Sequence, residues 1–446
     1  MSMTSLHHKE TIFNYVDNHS KEAVDYLRKL VKIDTHVPPG LNYDKICRVM
    51  ADRFTQYGCG CEIHEATFPY LEASGAGEMG LQGPRSNLVA TYEGGGEGPK
   101  LHLSAHIDTA PYDREGWTHD PLIGKVTDDN PYGKSPLDVG GGYVWGRGAC
   151  DDKSMLVSMT MALETIHELG FKLQGDLILT GNCDEEIGGV AGLGYLIKEG
   201  LVKADYAIQL DGDVYKMGLA AQGRVRYKIK THGKSYHGQM PILGVNAIEK
   251  MSNINVALTR YWKEELLNRQ KTVPGITLPE SIVEAGYDKL TAMLNIGTIK
   301  GGIQGATVPD YCEEEVLRCM LPGESEEEVT QEIKSVIDSV KKSDSNLEYS
   351  LDIINSREGY VQDPDHPFIQ RSREIILECL GIVPEFSGNL ASTDMNYQVN
   401  DGGQACFTMG TGYPYTRYHQ KDESVSVDDF LMNAKMLALI ILDTLG

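Results

Sequence analysis

The sequence predicts an α/β fold in which a mostly parallel sheet is flanked by helices and interrupted by an inserted βαββαβ sandwich domain. Three observations carry this. Between residues 101 and 211, apolar strand-like runs alternate with amphipathic helical stretches. Each strand ends in polar, mostly acidic residues, as where a ligand site gathers at the carboxyl edge of a parallel sheet. Near residue 217 the alternation gives way to the order strand-helix-strand-strand-helix-strand, and it resumes at 367. The boundaries that follow are 1–216 and 357–446 for one domain and 217–356 for the insertion.

The N-terminal part reads as helix over 9–32, with Phe13, Val16, Val24, Tyr26, Leu27, Leu30 and Val31 apolar, and it breaks at Pro38-Pro39-Gly40. A second helix is expected over 44–57 and strands near 62–67 and 87–92. The glycine-rich loop 94–98 is not a phosphate cradle, because no Lys-Ser/Thr follows it and no helix starts there. In 101–108, Leu101, Leu103 and Ala105 alternate as in a strand with unlike faces, and His106 and Asp108 point to one side. An imidazole beside a carboxylate at such an end suits a metal site, with His106 ligating and Asp108 fixing its ring.

A polar segment, 111–142, leads to Gly146-Arg147-Gly148, where two glycines let backbone approach something closely. Asp151 opens a helix with the stripe Met155, Leu156, Met159, Leu163 and Ile166, stopped at Gly170. A helix cap alone would account for Asp151. Strand 176–180 delivers Asp184-Glu185-Glu186, three adjacent acids that repel one another unless a cation sits among them, with solvated loop acids as the alternative. Helix 192–198 leads to strand 205–210, which ends in Asp211.

In the insertion, a strand with Val225, Tyr227 and Ile229 precedes a helix over 245–270, strands near 294–300 and 311–320, a helix over 325–341 and a strand over 347–354. After Pro367 come a helix to Leu380, a turn-rich stretch 387–394, a strand 405–409, a loop with His419 and a last helix 428–445.

With 446 residues the chain exceeds what one core usually serves. Its apolar fraction of 41% and charged fraction of 24% are those of a globular protein. A formal charge of -23 argues against nucleic acid and anionic membranes as partners. The apolar run 437–442 is too short to span a bilayer. The N-terminus has no basic stretch followed by an apolar one, so export is not expected. Nine scattered cysteines without a CxxC fit free thiols in a reducing cytoplasm.

Four strand or helix ends thus bring His106, Asp151, Glu185/Glu186 and Asp211 to one rim, and His419 offers a loop histidine. This nitrogen and oxygen set without thiolate suits zinc, or cobalt or manganese in its place. Five ligands serve two ions if one carboxylate bridges. Metal binding brings water's pKa from 15.7 to about 7, making hydroxide available at neutral pH. Of the adjacent glutamates, one can ligate while the other moves the proton.

The chain resembles the dinuclear zinc metallopeptidase family of acetylornithine deacetylase, succinyl-diaminopimelate desuccinylase, aminoacylase and glutamate carboxypeptidase. The resemblance runs through Ile33-Asp34-Thr35 with Pro38-Pro39-Gly40, His106-x-Asp108, Trp117 with Asp120-Pro121, and Gly146-Arg147-Gly148-Ala149-x-Asp151-x-Lys153. It continues through Glu185-Glu186, Asp211, Gly233-Lys234-x-x-His237 with Pro241, Asn295-x-Gly297, Val308-Pro309-Asp310 with Arg318, and His419 with Asp422-Glu423.

The resemblance implies a dinuclear zinc exopeptidase-like catalytic domain with an inserted lid and dimerisation domain. It implies that His106 binds one ion, His419 the other, and Asp151 bridges. Glu186 and Asp211 complete opposite positions, Glu185 is the general base and Asp108 the orienting acid. His237, in the lid, stabilises the oxyanion across a homodimer interface. Arg318 holds a substrate carboxylate, and Asn295 joins it as a substrate-binding residue.

The chain departs from the family pattern at Asp152, where an apolar residue is usual, and at Ser154-Met155, where small glycines are. Asp211 stands where deacylases mostly have glutamate, Val316 replaces an acid, and 121–142 is extended. The expected activity is metal-dependent hydrolysis of an amide bond in a small N-acyl amino-acid-like substrate. An exopeptidase or dipeptidase and an N-carbamoyl amino-acid hydrolase are the alternatives. A non-catalytic binding protein on the same fold is the remote one, since such a protein would be expected to have lost Glu185 or a ligand.

Overall fold

In the computed structural model, which describes residues 6–446 apart from 75, 274–276, 279 and 391–392, the Leu101–His106 strand runs through the middle of the main sheet. Leu177–Asn182 and Tyr206–Gln209 flank it in parallel, and Ala405–Thr408 continues the parallel set. Ser86–Tyr92 and Gly60–Glu65 add antiparallel strands on one side, and Lys216–Ala221 adds one on the other. Leu101–His106 and Leu177–Asn182 are buried along their whole length, and the polar residues that alternate in the first are buried too, His102 Nε2 lying 2.9 Å from the Thr180 hydroxyl and Ser104 donating to Asn182 Oδ1 at 2.9 Å. The architecture is the expected mostly parallel sheet flanked by helices, with antiparallel strands toward its margins.

Two helical expectations outside the insertion change. The 9–32 helix is two helices, Lys9–Asn18 and Ser20–Val31, parted at His19, whose ring Nδ1 lies 2.7 Å from the Tyr15 carbonyl. Lys153–Glu168 has no single apolar stripe: every residue from Lys153 to Ile166 is buried. It packs against the C-terminal helix Val427–Leu445 and the N-terminal helices as well as the sheet, so no face is left to water.

The chain divides into two units. The first holds the residues up to Leu219, Gln362–Ser387 and Thr393–Gly446; the second holds Ala220–Val361 and a short return beginning at Gly388. The second unit is built on an antiparallel sheet in the order Met293–Gly301, Tyr311–Met320, Gly223–His232, Glu348–Arg357. Helices Ala247–Glu264 and Glu326–Ser343 pack onto Val225, Tyr227 and Ile229. The first of these helices is shorter than the periodicity suggests. Asn246 caps it, accepting from the N–H of Ile248 at 3.0 Å, and past Glu264 the chain turns through Leu266–Asn268 into a short strand. Ser325 and Glu328 form a reciprocal cap on the second helix. Of the turn-rich stretch 387–394, part belongs to the strand Glu385–Asn389, and Ala391 and Ser392 lie outside the described residues.

Candidate metal centre

His106 ends its strand with both ring nitrogens engaged. Nε2 lies 2.8 Å from Asp151 Oδ1, while Nδ1 lies 3.0 Å from the Asp108 carbonyl and 3.4 Å from its carboxylate. The Asp108 carboxylate also accepts the backbone N–H groups of Glu185 at 3.2 Å and Glu186 at 3.1 Å. One buried acid thus orients the histidine and fixes the loop that carries both glutamates. His419 approaches from the far loop, its Nε2 3.2 Å from Asp151 Oδ2 and 2.8 Å from Glu186 Oε2. Donor atoms of His106, Glu185 and Asp211 lie within 4.8 Å of one another, as do those of Asp151, Glu186 and His419. The two oxygens of Asp151 therefore face two different imidazoles.

The surroundings explain why Asp151 sits so well. Glu423, buried, accepts the backbone N–H of Cys150 at 3.0 Å and of Asp151 at 3.1 Å. Its other oxygen pairs with Arg147 at 2.6 Å, and Arg147 stacks on Trp117 with 5.4 Å to the ring centroid. Gly148, at φ +79, leaves room for the Thr109 methyl, which a Cβ would meet at 2.4 Å. Asp152, the unusual residue of this segment, accepts the backbone N–H of His106 at 3.0 Å. Asp184, the first of the three adjacent acids, turns away to the Tyr43 hydroxyl at 2.8 Å and toward Arg85 at 3.5 Å. Burial pushes its carboxyl up to about 7. No local pattern in the sequence signals the partners of Asp152 and Asp184, and Glu423 is marked there only as part of the His419 motif with Asp422.

The charges here call for a cation. Burial raises Glu186 to about 7, and the neighbouring Asp151 adds to this. Burial and the charges of Glu185 and Asp151 push Asp211 up strongly. His419 is raised to about 11 by its contacts with Asp151 and Glu186. Glu186 Oε1 is buried without a hydrogen-bond partner. Such a cluster of buried carboxylates and imidazoles fits divalent ions, which would neutralise it and take up the free oxygen.

The residues expected in the insertion stand differently. Arg318 is fully buried. Its Nη2 donates to both Glu324 oxygens at 3.0 and 3.2 Å, and lies 3.8 Å from Glu332. Its Nη1 donates to the Cys319 carbonyl. The Nη groups of the guanidinium are therefore an internal tie of the second unit, while Nε is buried without a hydrogen-bond partner. Asn295 is exposed on the outer strand Met293–Gly301, opposite Leu317. His237 is exposed in the short strand Tyr236–His237, where its Nδ1 accepts from the Gln239 N–H at 3.2 Å.

The description "Peptidase family M20/M25/M40" matches residues 102–443. The chain is 24% identical over 454 residues to N-formyl-4-amino-5-aminomethyl-2-methylpyrimidine deformylase of Bacillus subtilis, covering 95% of this chain and 94% of that protein. It is 28% identical over 355 residues to acetylornithine deacetylase of Vibrio parahaemolyticus, covering 78% and 82%. Among solved structures it is similar to a di-peptidase from Saccharomyces cerevisiae, with TM-score 0.73 at 15% identity over 98% of both chains. An M20 family metallo-carboxypeptidase from Sulfolobus solfataricus gives TM-score 0.72 at 16% identity, covering 94% of this chain and 98% of that one. At such identities the structural likeness speaks for the fold alone. The family match spans most of the chain and takes in His106, Asp151, Glu185, Glu186, Asp211 and His419: the chain belongs to peptidase family M20/M25/M40.

Proposed function

We propose that this metal-dependent amidohydrolase removes an acyl group from the nitrogen of a small amino-acid-like substrate. The observation that carries the reading is Asp151, whose two carboxylate oxygens each face a different imidazole. His106 and Asp211 would hold one divalent ion, His419 and Glu186 the other, with Asp151 shared; zinc suits the donor set, with cobalt or manganese as substitutes. Such ions, when bound, supply an acidic water and polarise the scissile carbonyl. Glu185 takes the proton of the attacking water and passes it to the leaving nitrogen. Its loop is held by Asp108, which accepts the backbone N–H groups of Glu185 and Glu186. The two relatives named above carry names that describe removal of a formyl or an acetyl group, which favours a small acyl group here.

The insertion acts as lid and dimerisation domain. His237 accepts at Nδ1, so its neutral ring carries the proton at Nε2, a donor suited to a developing oxyanion. Exposed Met240, Ile242, Leu243 and Ile303 beside it favour a homodimer through this unit. All nine cysteines are free, which suits the cytoplasm, and among the described residues no helix is long and apolar enough to cross a membrane. The test is the metal-loaded protein against N-formyl, N-acetyl, N-succinyl and N-carbamoyl amino acids and dipeptides. Preference for an N-acyl amino acid supports the reading; turnover confined to dipeptides or N-carbamoyl compounds overturns it.

A further inference from the structure

We infer that Tyr132, in the extended 121–142 segment, is a positioning residue that holds the His419 loop in its ligating shape and thereby sets the affinity of one of the two metal positions. The inference rests on the reading of His419 as a ligand. The His419 side chain is 52% exposed, so packing does not fix it. Its loop passes through left-handed backbone at three residues other than glycine: Arg417 at φ 52, His419 at φ 61 and Asp422 at φ 62. A run of such conformations persists only where contacts from outside the loop impose it.

Those contacts converge on the two residues that bracket His419. The Asp422 carboxylate accepts the Thr118 N–H at 2.7 Å, the Thr118 hydroxyl at 2.9 Å and the Tyr132 hydroxyl at 2.7 Å. The Arg417 guanidinium lies 4.1 Å from the centroid of the Tyr132 ring, and its Nε donates to the Lys421 carbonyl at 3.0 Å. A single aromatic side chain thus grips the loop before His419 with its face and after it with its hydroxyl.

Tyr132 is itself tied down. Its N–H donates to Asn130 Oδ1 at 2.9 Å, and the Asn130 amide donates to the Ser424 hydroxyl at 2.9 Å. Further along the segment, Ser135 donates to Asp429, and the N–H groups of Val139 and Gly141 donate to Asp428 at 2.8 and 3.0 Å. The segment is stitched to the start of the C-terminal helix, and this gives its extra length a purpose: it presents one tyrosine to the loop of a ligand.

Calorimetric titration of the metal-free protein with Zn²⁺ tests this. His419→Ala comes first, and it should abolish one of two binding events; if both persist, the ligand reading fails, and this inference with it. Tyr132→Phe keeps the ring and removes only the hydroxyl. It should weaken that same event about 10-fold, the scale on which groups behind a ligand act. The other event and the melting temperature of the metal-free protein should not move. Thr118→Val, which removes another donor from the Asp422 carboxylate, should weaken the same event. Unchanged affinities in Tyr132→Phe, or a parallel fall of both together with the metal-free melting temperature, overturn the positioning role while leaving His419 a ligand.

Discussion

Glu185→Gln separates the two adjacent glutamates. Geometry alone groups Glu185 with His106 and Asp211 as closely as Glu186 with Asp151 and His419, so charge removal must decide which of them ligates. The substitution is nearly isosteric and leaves the Glu185 N–H on Asp108 untouched, so the loop should keep its shape. If Glu185 is the base, turnover should fall about 10²–10⁴-fold, or roughly 2.7–5.4 kcal/mol of transition-state stabilisation. Glu186→Gln should act otherwise. It removes charge from an oxygen 2.8 Å from His419 Nε2, while the other oxygen lies buried without a partner, so metal retention should suffer first. The assay is kcat/KM beside elemental analysis after reloading, with the wild type approaching two ions per chain. Loss of an ion from Glu185→Gln, with both retained by Glu186→Gln, would reverse the roles. Full activity in Glu185→Gln would remove the general base altogether.

Arg318→Met should unfold at lower temperature, because breaking a buried ion pair costs about 3–5 kcal/mol; a stable variant with raised KM only for substrates bearing a free carboxylate would assign Arg318 to the substrate. Glu314 is buried in the second unit with neither carboxylate oxygen hydrogen-bonded, and burial pushes it from 4.5 up to about 7 despite the nearby Asn255 amide. A carboxyl raised on folding opposes the folded state once ionised, so its effect is absent below about pH 4.5 and complete above about pH 7. Stability should therefore fall across that window by about 3 kcal/mol, and Glu314→Gln should flatten the denaturation profile; an unchanged profile would show that Glu314 does not titrate there. Mixing inactive His237→Ala and Glu185→Ala chains under subunit exchange should restore roughly a quarter of wild-type activity, since about half of randomly paired dimers are mixed and each has one sound site. Exchange without recovery would keep His237 in its own chain's site.

Much of the site is legible in the sequence because its residues sit at element ends that local pattern marks. Alternation of Leu101, Leu103 and Ala105 places His106 and Asp108 on one side at a strand end. The same logic puts the Glu185-Glu186 pair just past Leu177–Asn182 and Asp211 just past Tyr206–Gln209. What local pattern does not give is which side chain each of these meets. Arg318 resembles a ligand-binding arginine as a motif, yet along its strand it shares the inward parity of Cys312, Val316 and Met320, and Glu324 folds back to meet it. Asp184 has the composition of a metal ligand, but the backbone at φ 63 belongs to a turn that sends it to Tyr43 and Arg85. Asp151 depends on Glu423, and the His419 loop on Thr118 and Tyr132, all far away along the chain. Periodicity reports which face of an element a residue occupies, because the backbone repeat is local. Hydrogen bonds and ion pairs between distant segments depend on how those segments pack, and that only the tertiary structure decides.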